Sequence, residues 1–96
     1  MFNNMPMNPE YTAPITTLAL MLNERNIPYT CVQIWDGLQL RFPWCAGDIV
    51  CHSGSYGHSE AHVESYCFPW DDGDCTELTV FEAVELLTDF YAEIGV

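Results

Sequence analysis

The residues with the most evident chemical potential lie in one short stretch, CHSGSYGHSEAHVESYC, at residues 51–67. Thiol and imidazole groups are the usual ligands of zinc, and a thiol beside an imidazole can act as an activated nucleophile. Zinc ligands normally come in pairs at short spacing, and this stretch has neither a C-x-x-C nor an H-x-x-H pair. If a metal binds here, the expected ligands are Cys51, His58, His62 and Cys67.

A structural explanation of the same stretch competes with zinc binding. Cys51 and Cys67 are then small buried apolar residues, and the histidines lie on a solvated loop. Catalysis by a thiol requires contact between the Cys and His side chains, which spacing along the chain does not establish. The acids at 71, 72 and 74 lack the ligand ladder of a calcium loop, and no phosphate-binding glycine motif occurs. We therefore predict no catalytic residue, no cofactor and a protein that is not an enzyme.

Charge is the most unusual property of the composition. Fourteen acidic residues stand against two arginines and no lysine, which gives a formal net charge of -12. Ten of these acids, and neither arginine, lie in residues 49–96. A field of one sign repels nucleic acid and anionic membranes and attracts basic partners. We therefore expect no direct binding to nucleic acid or membrane, with solubility alone as the simpler explanation of the excess acid.

Length and cysteine content place the chain in a broad class. Ninety-six residues suit one domain with a modest core, and a hydrophobic fraction of 49% argues against a disordered acidic tail. Five cysteines cannot all pair within one chain, and the N-terminus has no basic segment followed by an apolar run. These features favour free thiols in a reducing cytoplasm, and we expect a monomer or a homodimer.

Periodicity predicts a helix after a loosely held, flexible arm at residues 1–11, with a single domain over residues 12–96. Thr12 is the expected N-cap of this helix, and Pro14 suits its first turn. Asn26 and Pro28 are typical of its end. One apolar stripe at helical spacing supports the prediction: Ile15, Leu18, Ala19 and Leu22.

Strands are predicted for the middle of the chain. Asp36-Gly37 is a signal for a two-residue hairpin, flanked by strands at about residues 29–35 and 38–43. A third strand is expected at about residues 46–51, and HVESYCFPW can form a fourth strand or a short helix. The DDGDCT segment that follows is expected to be an acidic turn.

The last segment predicts an amphipathic helix that starts at a T-x-x-E capping box formed by Thr79 and Glu82. Its apolar side is expected to contain Val80, Val84, Leu87 and Tyr91, widened by Phe81 and Ile94. Helices at both ends and strands between them indicate a two-layer α+β domain. We predict an antiparallel three- to four-stranded sheet packed on an N-terminal and a C-terminal helix.

The runs IPYTCVQIWDGLQLRFP and DIVCHSGSYGHSEAHVES resemble segments of small uncharacterised proteins that phages and prophages of low-GC Gram-positive bacteria encode. This resemblance covers about residues 15–93 and implies no catalytic residue. In charge, size and order of elements, the chain is also similar to acidic phage-encoded inhibitors of host defence, including anti-CRISPR proteins that imitate DNA. The resemblance implies an inhibitor that acts in the cytoplasm of the host cell.

An acidic surface on the C-terminal half is the predicted binding site. Proteins that bind DNA meet its phosphates with Lys and Arg, and a folded carboxylate surface can occupy the same cleft. The expected partner is a basic nucleic-acid-binding protein such as a CRISPR effector. Trp70 either anchors this contact or packs on the last helix. The expected acidic contacts are Asp71, Asp72, Asp74, Glu77, Glu82, Glu85, Asp89 and Glu93. The alternative function is a small zinc-binding or thiol-dependent accessory domain that uses residues 51–67.

Overall fold

The computed structural model describes residues 5–95 and has the predicted two-layer α+β architecture. Two helices, α1 (Pro9–Glu24) and α2 (Val80–Ile94), pack on an antiparallel sheet and on each other. The sheet has five strands in the described chain, one more than the upper limit of the prediction. They are β1 (Thr30–Ile34), β2 (Gly37–Arg41), β3 (Asp48–Cys51), β4 (Val63–Tyr66) and β5 (Cys75–Leu78).

The strand order in the sheet is the order along the chain, so every strand pairs with its sequence neighbour. The register aligns Leu40 with Ile49, and Ile49 with Ser65. These residues point toward the helices, because side chains alternate between the two faces of a strand. The opposite face carries the row Gln39, Val50, Glu64 and Glu77, which the same register aligns.

Helix α1 begins three residues before the expected N-cap. Asn8 caps it, and its Oδ1 accepts a hydrogen bond of 3.0 Å from the Glu10 backbone N–H. Pro9 occupies the first helical position, where its missing N–H costs nothing. Thr12 therefore lies inside the helix, and residues 9–11 of the predicted arm belong to α1. Residues 1–4 of that arm lie outside the described residues.

The hairpin between β1 and β2 turns one residue earlier than predicted. Trp35 and Asp36 form the two-residue loop, and Trp35 has the positive φ of 51°. Gly37 already pairs with Ile34 as the first residue of β2. A Cβ at Gly37 would lie 1.8 Å from the Cys51 carbonyl oxygen, so the glycine permits close approach of β3 and does not form the turn.

The fourth predicted segment is divided between a strand and a short helix. β4 ends at Tyr66, and a 3₁₀ turn at Pro69–Asp71 follows it. The predicted acidic turn, DDGDCT, ends at Asp74. Cys75 is already the first residue of β5, an edge strand beside β4. This strand has only four residues, and strong turn signals precede it. Its short length and the preceding turn residues explain why the sequence pattern did not predict it.

The core lies between the helices and the sheet. The predicted stripe of α1 is confirmed, since Ile15, Leu18 and Leu22 are fully buried. The predicted capping box of α2 is also confirmed. Phe81 and Ile94 do not widen the apolar side of this helix, because both are exposed. The sheet and α2 supply most of the other buried residues: Leu40, Ile49, Val63, Leu78, Ala83, Val84 and Leu87.

Candidate functional site

Four carboxylates form one row on the outer side of α2, which we call the acidic row: Glu82, Glu85, Asp89 and Glu93. All four residues are exposed. Steps of three and four residues place them on one side of the helix, opposite the buried Ala83, Val84 and Leu87. At 1.5 Å per residue, the row is about 16 Å long.

The helix start fixes the first member of the row. Glu82 accepts a hydrogen bond of 2.8 Å from the Thr79 backbone N–H, and the Thr79 hydroxyl accepts one of 3.1 Å from the Glu82 N–H. These bonds lower the pKa of the Glu82 carboxyl, and the bond from the Thr79 backbone N–H has the largest effect. Glu82 is therefore charged at neutral pH, and its side chain is held at the helix end.

The row borders shallow grooves on both of its sides. Asp89 takes part in three of them, one shared with Glu82 and Glu85 and another with Arg25 and Glu85. The Arg25 guanidinium donates to the Met21 carbonyl at 3.2 Å. Among residues 5–95 no salt bridge joins an arginine to the row. The carboxylates therefore keep most of their negative field.

Trp70 lies beside the row and packs on α2 at the same time. Its indole stacks on Phe68 with centroids 4.4 Å apart and meets Phe90 edge-on at 6.0 Å. Its Nε1–H donates to Ser65 Oγ at 2.9 Å. The half-buried ring lines a groove together with Asp89 and Glu93. The structure thus places the predicted aromatic anchor next to two predicted acids.

Asp71 is not part of the exposed acidic surface, contrary to expectation. Only 4% of Asp71 is exposed. Its two carboxylate oxygens accept hydrogen bonds from the Ser65 hydroxyl at 2.7 Å and from the Phe68 backbone N–H at 3.0 Å. The residue is structural because both oxygens face inward donors. Asp72 and Asp74 are exposed, as predicted.

Glu77 is exposed but does not stand alone. It lies on β5, and its Oε2 contacts His62 Nδ1 at 2.5 Å. The same register that places Glu77 on the helix-free face sets it opposite Glu64. Glu77 therefore belongs to a cluster at the end of the sheet rather than to the acidic row.

The beginning of the 51–67 stretch is a hydrogen-bonded turn with a structural role. The His52 ring is buried edge-on against Trp35, with centroids 4.8 Å apart, and its Nδ1 accepts from the Gly54 N–H at 2.9 Å. The Ser55 hydroxyl bonds the backbone of His52 at both its N–H and its carbonyl. Burial is the main cause that lowers the pKa of His52. The ring is neutral and fixed, and this suits packing.

The four predicted metal ligands do not come together. Cys51 is fully buried in the core, and burial raises the pKa of its thiol to about 11. Val50 pairs with Glu64, so Cys51 lies level with the start of β4. Cys67 follows the end of this strand, about 13 Å further along. The His58 ring meets Tyr11 edge-on at 5.3 Å. Of the four, only His62 belongs to a possible ligand group within residues 5–95, and its partners there are Glu60 and Glu77.

Sequence reasoning assigned no role to Glu64, which is fully buried. Its carboxylate accepts hydrogen bonds from the Tyr66 hydroxyl and, at 3.3 Å, from the Tyr56 backbone N–H. These donors fasten the loop after β3 over the helix-free face of the sheet. The available signal was alternation in β4, which places Glu64 and Tyr66 on one face. Alternation does not reveal that a loop covers that face.

Comparison of the chain with models of known protein families, with curated proteins and with solved structures finds no match. Neither helix described for the chain has both the length and the apolar character needed to cross a bilayer.

Proposed function

We propose that this protein binds the basic nucleic-acid-binding cleft of another protein through the acidic row and thereby keeps nucleic acid out. The observation that carries this proposal is the row itself, four exposed carboxylates on one rigid helix face without an arginine salt bridge among the described residues. The net charge of -12 directs such a surface toward cationic partners.

The spacing of the carboxylates is suited to partial imitation of a nucleic-acid strand. The row presents one charge per about 4–6 Å of helix axis, since its members are three or four residues apart. Duplex DNA carries one charge per about 1.7 Å, or about 3.4 Å on each strand. A cleft that binds one strand can therefore exchange several phosphate contacts for contacts to the row. Binding should start fast and weaken steeply with salt.

The groove beside Trp70 can add an apolar contact to the electrostatic one. Trp70, Leu86 and Phe90 line it, and Asp89 and Glu93 supply acid. An arginine of the partner fits such a site, because its guanidinium can stack on an indole and pair with a carboxylate. A cleft rich in arginine is therefore a better partner for this groove than a merely cationic surface.

The biological role that we propose is inhibition of a host defence protein by a phage-encoded protein. The partner is then a CRISPR effector or a similar basic protein, and the site of action is the cytoplasm of the host cell. The resemblance to phage proteins and the similarity in charge and size to anti-CRISPR inhibitors support this role. In this role the protein acts by contact, without catalysis, and needs no cofactor.

The proposal is tested by displacement of labelled duplex DNA from purified Cas9–guide RNA complexes of Gram-positive bacteria. We expect the wild-type protein to displace DNA at 50 mM salt and to lose this ability steeply above 200 mM. The double reversal E85K/D89K should weaken displacement at least tenfold. The reversal E10K/E24K on α1 changes the net charge equally and serves as the matched control.

Two results would contradict the proposal. The first is DNA displacement that both double variants weaken to the same degree, because net charge would then explain it without the row. The second is the absence of displacement from every complex at low salt. Asp71 is unsuitable for these reversals, since its carboxylate is buried.

A further inference from the structure

We propose that Glu60, His62 and Glu77 form a binding site for a divalent transition-metal ion. Each residue offers one ligand atom, and these three atoms lie within 4.8 Å of one another. The set combines one imidazole nitrogen with two carboxylate oxygens. It differs from the Cys-His ligand set predicted from the sequence, and it is independent of partner binding by the acidic row.

The distances are compatible with one shared ion. Ligand atoms at about 2.1 Å from zinc lie about 3.4 Å from each other in a tetrahedral site. His62 Nδ1 and Glu77 Oε2 are 2.5 Å apart, so the ion would replace their direct contact and separate them by about 1 Å. Both side chains are partly exposed, at 28% and 40%, and this leaves them room to make that adjustment.

The local backbone brings the three residues together. A 3₁₀ turn at His58–Glu60 is bracketed by two left-handed residues, Gly57 and Ala61. The backbone N–H groups of Glu60 and His62 both donate to the Gly57 carbonyl, at 2.9 and 3.1 Å. A Cβ at Gly57 would lie 2.5 Å from Glu77 Oε2 and 2.6 Å from His62 Cβ. Glycine at this position therefore leaves the space in which the ligand side chains meet.

The negative charge of the cluster also attracts a cation. Two carboxylates face one imidazole, so the cluster has more acidic than basic groups. Among the described residues, the His62–Glu77 contact is the only salt bridge. Glu60 and His62 line a groove of about 450 Å³ between the first turns of α1 and α2, which gives an ion and its remaining water ligands access.

The ligand types select the class of metal. Magnesium and calcium prefer all-oxygen sites, whereas imidazole suits zinc, nickel, copper and iron. One nitrogen and two oxygens from the protein leave one or more coordination positions for water, as in zinc sites with three protein ligands. Zinc is therefore the appropriate probe, with cobalt as its spectroscopic substitute.

The test is a calorimetric titration of chelator-treated protein with Zn²⁺ at pH 7.5 and 0.15 M salt. We expect one ion per chain, at least tenfold weaker binding in H62Q and in E77Q, and little binding of Mg²⁺. E93Q removes a carboxylate of the acidic row and should bind zinc like the wild type. C67S removes an exposed thiol and should do the same. Circular dichroism checks that each variant is folded.

Several outcomes would overturn the site. They are the absence of zinc binding, equal losses in E77Q and E93Q, or loss of binding in C67S, which would assign the metal to a thiol. Visible absorption of bound Co²⁺ provides a second measurement, because thiolate ligands add a charge-transfer band that nitrogen and oxygen ligands lack. H62Q leaves the acidic row intact. The zinc titration and the DNA-displacement experiment therefore test the two proposals separately.

Discussion

The Ser65 hydroxyl donates a hydrogen bond of 2.7 Å to Asp71 Oδ1, and this bond ties β4 to the 3₁₀ turn that carries Trp70. The same hydroxyl accepts the Trp70 Nε1–H at 2.9 Å. The Phe68 N–H completes the arrangement by donating to Asp71 Oδ2. A buried carboxylate thus positions the ring that borders the acidic row.

Asp71→Asn should lower the free energy of unfolding by about 2 kcal/mol. The substitution replaces one accepting oxygen with an NH₂ group, which would face a buried hydrogen-bond donor. Asp72→Asn removes the same charge from an exposed residue with left-handed φ, which Asn tolerates, and should change stability by less than about 0.5 kcal/mol. Urea denaturation followed by tryptophan fluorescence measures both. Equal effects of the two variants would contradict the structural role of Asp71.

Tyr66→Phe should lower the free energy of unfolding by about 1–2 kcal/mol, since it removes a donor to the buried Glu64 carboxylate. Tyr56→Phe is the matched control, because the Tyr56 side chain is exposed and only its backbone N–H contacts Glu64. Urea denaturation of both variants gives the comparison. A stability change in Tyr66→Phe no larger than in Tyr56→Phe would show that the hydroxyl contributes nothing to the fold.

The ionisation of Tyr66 offers an independent measurement. Burial first, and then the bond to Glu64, raise the pKa of Tyr66 well above its usual value. The folded state holds the phenol proton more tightly, so this stabilisation is present below pH 10 and is lost as pH rises through the folded-state pKa. Burial also raises the pKa of Tyr11. Ultraviolet titration of the folded protein should show that Tyr66→Phe removes the tyrosine that ionises last.

His52 should make the protein less stable as pH falls from 7 toward 5.5. Burial lowers the pKa of this ring in the folded state, so the unfolded chain binds the proton more readily below about pH 6.5. Asp36 and Glu64 oppose the shift, and His58 reinforces it. His52→Asn retains an acceptor for the Gly54 N–H and should flatten this dependence. Parallel pH slopes in the two proteins would refute the assignment.

Cys51 should resist alkylation in the folded protein. Its side chain is fully buried, so the reagent has little access to the sulfur. Its thiol pKa is raised to about 11, so little thiolate is present at pH 7.5. Cys67 is exposed and should react at least a hundred times faster with iodoacetamide. Peptide mass spectrometry after timed quenching gives both rates. Urea should make the two rates similar, and similar rates already in the native protein would place Cys51 outside the core.

Local rules predicted much of the fold. The apolar stripe of α1 and the capping box of α2 depend on residues three or four apart, and both are present in the structure. The position of the hairpin turn was wrong by one residue, because Gly37 has a long-range role against β3. Phe81 matched the helical pattern and is nevertheless 67% exposed, because periodicity does not specify how far the neighbouring elements extend.

The candidate site was predictable only in part. Helical spacing was sufficient to place the acidic row on one face of α2. The burial of Glu64 and Asp71 was not predictable, because their donors lie on a loop, a strand and a turn that meet only in the folded chain. The approach of Glu60, His62 and Glu77 likewise depends on the β4–β5 register, which no short motif encodes.

The agreement between strand order and chain order affects how the molecule folds. Each pairing in the sheet joins segments that are near neighbours in sequence, and closing such short loops costs little entropy. The contact between α1 and α2 joins segments at opposite ends of the chain, so forming it costs the most loop-closure entropy. The meander is therefore expected to assemble rapidly, and docking of the terminal helices then completes the native state.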